Sequence, residues 1–219
     1  VEGRLARRSP LPTADLTVRK LAALAALTRA GTIEPALIGS LVIEPNLWPT
    51  SAVIDWVDIL SAVPDIPNRT GRLADAEQVL RARLVYQGTR LAFSTEASDS
   101  LWGLMVSNDL NAVRLVLTAL RLDGWRPDLP QLVRGALARQ RHGHWDLTTA
   151  NAWGVLAMER FSERYESGEV DGTTRLDLAG QSRAVDWGSP LRADSLIMAW
   201  PPEKADLAVE HQGAGRPWL

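Results

Sequence analysis

The chain has 219 residues, 46% of them hydrophobic, with a formal net charge of −2 and no cysteine. That length suits one well-packed domain, or one domain with a smaller piece attached, and no apolar run approaches what a membrane span needs. The charge balance gives no pull toward nucleic-acid phosphates or an anionic bilayer, and the missing thiols exclude disulfides, thiolate metal sites and a cysteine nucleophile within this chain.

Near the start, Arg4, Arg7 and Arg8 form a small basic cluster that reads as solvated terminus. The chain begins at Val1 without a signal-like apolar stretch, and we expect an internal piece of a longer protein. The first helix follows Pro12-Thr13, with Asp15 in its opening turn and Leu16, Lys20, Leu21, Leu24 and Leu27 leading to a stop at Gly31. A shorter helix is expected over Pro35 to Leu41. The next one has Thr50 or Ser51 as its cap and Val53, Trp56, Val57, Leu60 and Val63 as an apolar stripe, and Pro64 ends it.

Leu73 to Leu84 reads as a further helix, followed by two short strands around Gln87-Gly88. Leu101 to Val106 is apolar and ambiguous by period, while Asn108 or Asp109 caps a helix carrying Leu110, Val113, Val116, Leu117 and Leu120. Asp128 and Pro130 open another helix that runs to Arg139. From Trp145 onward, Trp153, Leu156, Ala157 and Phe161 recur at three- and four-residue steps and define the apolar face of the last helix. Short loops between about seven helices predict a stack of antiparallel hairpins.

The pattern changes near Ser167-Gly168, so the expected organisation is a helical part over 1–167 and a strand-forming part over 168–219. Thr174, Leu176 and Leu178 alternate with Arg175 and Asp177, as in a strand with one solvated face. Leu196 to Trp200 and Ala205 to Val209 are expected to be two more strands, separated by Pro201-Pro202. Three strands do not enclose a sandwich core, so something outside the chain is expected to complete the sheet.

Several constellations bear on chemistry. His142, His144 and Asp146 lie close in sequence, but alternate residues in a turn point different ways, and neither a metal nor a cofactor is expected there. Asp55 and Asp58 could serve as an acid pair, yet no Asp-x-Asp-Asp or Asp-Asp-x-x-Asp cluster accompanies them. Gln140, Gly143 and Trp145 have the spacing of the Gln-Trp motif and resemble its occurrence in terpenoid cyclases and other alpha/alpha toroids. There the glycine permits a tight helix-to-helix turn, the indole packs across the next helix start, and the Gln amide caps backbone groups. Gly124-Trp125 repeats the glycine-aromatic step one hairpin earlier.

The run from Gln140 to Phe161 also resembles the closing helix of the thioester domain of alpha-2-macroglobulins, with Thr148-Thr149-Ala150-Asn151-Ala152 and Leu156-Ala157 in the matching places and Trp153 within it. Phe93-Ser-Thr-Glu96, Val106 to Leu115, Arg134 to Gln140 and Gly215 to Trp218 are similar to bacterial members. The family forms its thioester within Cys-x-Glu-Gln; Asp75-Ala-Glu-Gln78 is read as a chance likeness, because a carboxylate stands where the thiol would be. The resemblance implies the bacterial branch that lacks the thioester cysteine. The expected fold is mainly α with a C-terminal β part: a partial alpha/alpha toroid of antiparallel helix hairpins, then strands of a beta-sandwich.

The implied role is a non-enzymatic module of a periplasmic or cell-envelope protein that helps to entrap proteases without covalent coupling. Proteases are the implied targets, and other envelope proteins are possible partners. The alternatives are a toroid enzyme acting on an isoprenoid or glycan, which needs a cavity lined by carboxylates, and an envelope interaction scaffold.

Overall fold

The computed structural model describes residues 15–94, 104–166, 168, 170–188 and 197–215. Arg4, Arg7, Arg8, Pro12-Thr13, Thr95-Glu96, Leu101, Ser167, Leu196 and Arg216 to Trp218 lie outside them. The described residues are mainly helical, with a β part toward the C-terminus, and the chain divides into two compact units, Val1–Arg160 and Phe161–Leu219.

In the first unit, α1 (Asp15–Arg29) packs on α2 (Thr50–Ala62), with 3-10 helices over Pro35–Ser40 and Pro45–Leu47 between them. The sequence predicts one apolar stripe on α2. Instead, every residue from Thr50 to Leu60 is buried, because α1, α3 (Arg69–Ala82) and α4 (Asn108–Ala119) all pack on this helix. Burial of Ile54, Trp56, Ile59 and Leu60 at about 1.5–3 kcal/mol per large side chain makes α2 the main apolar contributor to this unit. Trp48 meets Trp56 edge-on, with centroids 6.2 Å apart.

The expected cap of α2 is also corrected. Pro49 occupies the N-cap, and Thr50 Oγ1 accepts a hydrogen bond from Arg83 Nη1 at 3.0 Å. At the other end the helix stops at Val63, before Pro64, as expected.

α3 begins at Arg69, four residues before the predicted Leu73. Arg69 Nε and Nη2 donate to Leu60 O (2.5 Å) and Ser61 O (3.1 Å), so one cation satisfies two carbonyls in the last turn of α2 and anchors the first turn of α3. Strands β1 (Leu84–Gln87) and β2 (Arg90–Phe93) follow as an antiparallel hairpin pairing Gln87 with Arg90, with the turn at Gly88 and Thr89. α5 (Leu129–Leu137) lies on β2 and on α4. Gly135 permits that approach, since a Cβ there would stand 2.2 Å from Leu91 O. The last helix, α6 (Thr148–Tyr165), runs across the division between the units.

The second unit contains β3 (Thr173–Leu178), β4 (Gln181–Asp186) and β5 (Leu207–Gln212), antiparallel in the order β4-β3-β5. On β3, Thr174 and Leu178 are buried and Leu176 is half-buried, while Arg175 and Asp177 are exposed, as the alternation predicts. The second predicted strand is misplaced. Residues 197–200 join no strand ladder, though the Gln181 amide donates to Ala199 O and accepts from Ala199 N, both at 3.2 Å, and Ile197 and Trp200 are 86% and 89% exposed. The second strand of this unit in chain order is β4, which pairs with one edge of β3 while β5 takes the other, and a turn at Ala179 and Gly180 with φ of +49° and +81° joins it to β3. Its composition, Gln-Ser-Arg-Ala-Val-Asp, carries little apolar signal, and the pairing is made by backbone and turn geometry.

Candidate functional site

Gln140 to Asn151 builds a tight junction between α5 and α6. Arg141 and His144 form an isolated antiparallel bridge: Arg141 N donates to His144 O at 2.9 Å, and His144 N to Arg141 O at 3.3 Å. Between them His142 (φ +54°) and Gly143 (φ +81°) both take positive φ, the requirement of a two-residue I′ turn. Gly143 thus sits in a backbone conformation that glycine adopts without strain.

Trp145 leaves this turn buried, and its Nε1 donates to Ala136 O at 2.8 Å. Its ring lies against Gly154, where an added Cβ would stand 2.2 Å from Trp145 Cζ3. Asn151 ties the junction down: its Oδ1 accepts from Trp145 N at 3.0 Å, and its Nδ2 donates to Trp145 O at 2.9 Å and Leu147 O at 2.7 Å. The amide that fixes the backbone is thus that of Asn151. The Gln140 amide has no hydrogen bond among the described residues.

The buried stripe of α6 runs through Ala150, Gly154, Ala157 and Phe161, while Trp153 and Leu156 are half-buried. Trp153 has another neighbourhood. Its ring faces the guanidinium groups of Arg29 and Arg114, at 5.2 Å and 5.8 Å from the centroid. Those arginines hold the two aspartates of α2. Arg114 Nη2 meets Asp55 Oδ1 at 2.5 Å, Arg29 Nη1 meets Asp58 Oδ2 at 3.3 Å, Thr118 Oγ1 donates to Asp58 Oδ1 at 2.7 Å, and Arg121 also binds Asp58.

Burial pushes the Asp55 carboxyl above its ordinary range, against the Arg114 charge and hydrogen bond. Burial likewise lowers the Arg29 guanidinium, assisted by the charge of Arg114. Both carboxylates are neutralised within the fold, an arrangement suited to holding α1, α2, α4 and α6 in register.

Beside the junction lies an open cleft of about 650 Å³ whose wall includes Arg90, Asp109, Arg139, Gln140, Arg141, His144 and Asp146. His142 is exposed outside it, and His211 belongs to the second unit, bonded through Nδ1 to Thr174 Oγ1 at 2.9 Å. Among the described residues no group of three or more His, Cys, Asp or Glu is placed to hold a metal ion. Asp75 and Gln78 line a separate cleft of about 510 Å³ on α3.

Ser107 and Asn151 hold this region together through hydrogen bonds not assigned to them from the sequence. Ser107 Oγ accepts from Leu110 N at 3.1 Å, as the N-cap of α4, and donates to Asp146 Oδ1 at 2.8 Å. The expected cap, Asn108 or Asp109, is displaced by one residue; Asp109 instead receives Arg139 Nε at 2.7 Å and Asp146 N at 3.1 Å. Ser107 three residues before Leu110 was the available signal.

No helix among the described residues is long and apolar enough to cross a membrane. No protein-family model matches the chain, and no curated protein matches it either.

Proposed function

We propose that the chain is a non-enzymatic module of a bacterial alpha-2-macroglobulin-like protein of the periplasm or cell envelope, which contributes to protease entrapment without a covalent thioester. In this reading the helical unit is part of an alpha/alpha toroid of antiparallel hairpins, and β3 to β5 belong to a flanking beta-sandwich. The observation that carries it is the α5–α6 junction: the residues bearing the resemblance, Gly143, Trp145 and the start of α6, form a helix-to-helix lock closed by Trp145 on Gly154.

The non-enzymatic part rests on chemistry. The chain has no thiol to form an acyl bond, and Asp55 and Asp58 are held by arginines, which suits them poorly to protonating a substrate. The test is to incubate the full-length parent protein with a protease, with and without methylamine, and to follow cleavage of a large protein and of a small peptide. Entrapment blocks the large substrate and spares the small one, equally in both arms and with no covalent adduct. An adduct that methylamine abolishes, or unimpeded cleavage of the large substrate, would overturn the proposal.

A further inference from the structure

The cleft beside the α5–α6 junction carries an unused positive charge. Arg90 comes from β2, and Arg139 and Arg141 from the segment after α5, so three guanidinium groups share its wall with two carboxylates, Asp109 and Asp146. The carboxylates are turned to their own donors. Both oxygens of Asp109 are occupied, by Arg139 Nε at 2.7 Å and Asp146 N at 3.1 Å, and Asp146 Oδ1 accepts from Ser107 Oγ at 2.8 Å. The side chains of Arg90 and Arg141 are exposed and have no hydrogen-bond or ion-pair partner among the described residues.

Three guanidinium groups against two carboxylates leave one surplus positive charge on this wall. A single carboxylate balances that charge, whereas a doubly charged phosphate beside Asp109 and Asp146 exceeds it.

The rest of the wall suits an amide-bearing ligand. His144 Nδ1 lies 3.0 Å from Trp145 O, and a carbonyl only accepts, so Nδ1 is the donor there and Nε2 is the ring nitrogen left to accept. The amides of Gln87 and Gln140 add both donors and acceptors. At about 650 Å³ the cleft is within the range of small-ligand sites, enough for a few peptide residues.

We propose that this cleft binds a short peptide segment through one carboxylate, held between Arg90 and Arg141, with His144 Nε2 accepting a peptide N–H. The carboxylate can be a chain terminus or an acidic side chain.

The test is calorimetric titration of the 219-residue chain with four probes: N-acetyl-trialanine with a free C-terminus, its C-terminal amide, N-acetyl-Ala-Glu-Ala-amide, and inorganic phosphate. Binding of either carboxylate peptide, weakened by salt and lost with the neutral amide, is the expected result, and whichever acid binds identifies the source. The R90Q/R141Q double variant should retain the circular dichroism spectrum and the unfolding midpoint while losing about tenfold or more in affinity, as expected for charge-assisted hydrogen bonds. Equal binding of the neutral amide, tighter binding of phosphate, wild-type affinity in the double variant, or no binding of either acid would each overturn the proposal.

Discussion

Arg114 Nη2 lies 2.5 Å from Asp55 Oδ1, with only 8% and 6% of the two side chains exposed. The pair joins α4 to the buried α2, and Trp153 of α6 faces the Arg114 guanidinium. An ion pair this far from water gains strength from the low dielectric but carries a large desolvation penalty on both partners. Its main consequence is therefore dependence: each residue is tolerable inside only because the other is there.

Arg114→Met removes the cation and leaves Asp55 buried, so unfolding stability should fall by about 3–5 kcal/mol. The double replacement Asp55→Leu with Arg114→Met removes the stranded charge as well and should recover most of that loss. Urea denaturation of the two variants decides the matter. If the double variant is as unstable as the single one, packing and not the charge governs the site.

The pH dependence of Asp55 has a definite sign. Desolvation raises its carboxyl above the unfolded value, so the folded state binds the proton more tightly, and stability falls as pH rises through the folded pKa. The contribution is fully present below the ordinary carboxyl range. Asp55→Asn lacks this titration, so its stability relative to the parent chain should improve between pH 3.5 and pH 7. Urea midpoints of both proteins at the two pH values supply the measurement, and a gap that is constant or moves the other way would sink the assignment.

Helix positions were legible because three- and four-residue apolar spacing reports burial directly: α1, α2, α5 and the hairpin β1–β2 all lie where the spacing and turn residues put them. The role of α2 was not legible. Periodicity describes one helix at a time, and its Asp55 and Asp58 become interior residues only through Arg29, Arg114 and Arg121, which are distant in sequence. The misplaced strand has a related cause, since apolar content drew the prediction to 196–200 while β4 owes its place to the Ala179-Gly180 turn. At the junction the glycine-aromatic spacing marks a turn, and Asn151 bonds locally to Trp145 and Leu147, but Ser107 and the cleft arginines act through contacts with residues distant in sequence.

Gly154 and Trp145 act as one unit. Gly154→Ala places a methyl where the indole lies, 2.2 Å from Cζ3, and should destabilise by about 1–3 kcal/mol through overpacking. Trp145→Phe frees that space but removes the 2.8 Å indole bond to Ala136 O, which keeps only the longer bond from Arg139 N at 3.3 Å, at a cost of about 0.5–1.5 kcal/mol. Because the smaller ring makes room for the methyl, the double variant should be more stable than the sum of the singles predicts. Thermal or urea unfolding of the four proteins closes the cycle; strict additivity would show that the ring does not constrain position 154.

Ser107 couples the start of α4 to the start of α6. Ser107→Ala removes the acceptor for Leu110 N and the donor to Asp146 Oδ1, and should cost about 0.5–2 kcal/mol. Ser107→Asp keeps an acceptor for the cap but sets a second carboxylate against Asp146, so it should rescue less than Ser107→Thr does. Hydrogen exchange at the Leu110 amide reads the cap directly, and unchanged protection in Ser107→Ala would contradict the role given to the hydroxyl.

In the second unit, the fully buried Thr174 is the centre of a hydrogen-bond chain whose direction is fixed by its ends. Ala214 O can only accept, so His211 Nε2 donates to it at 3.2 Å, and Nδ1 is the ring nitrogen left to accept. The Thr174 hydroxyl therefore donates to Nδ1 at 2.9 Å and accepts from Trp187 Nε1 at 2.7 Å. Thr174→Val keeps the shape and removes both bonds, leaving the indole N–H and the imidazole nitrogen without partners, for an expected loss of about 1–3 kcal/mol. Thr174→Ser keeps the hydroxyl and should retain the bonds. The Trp187 indole proton, followed by NMR, should shift and exchange faster with solvent in the valine variant but not in the serine variant. Because the valine side chain fills nearly the same space, an indole resonance unchanged by that substitution would mean that β3 is held to its neighbours by packing and ladder hydrogen bonds alone.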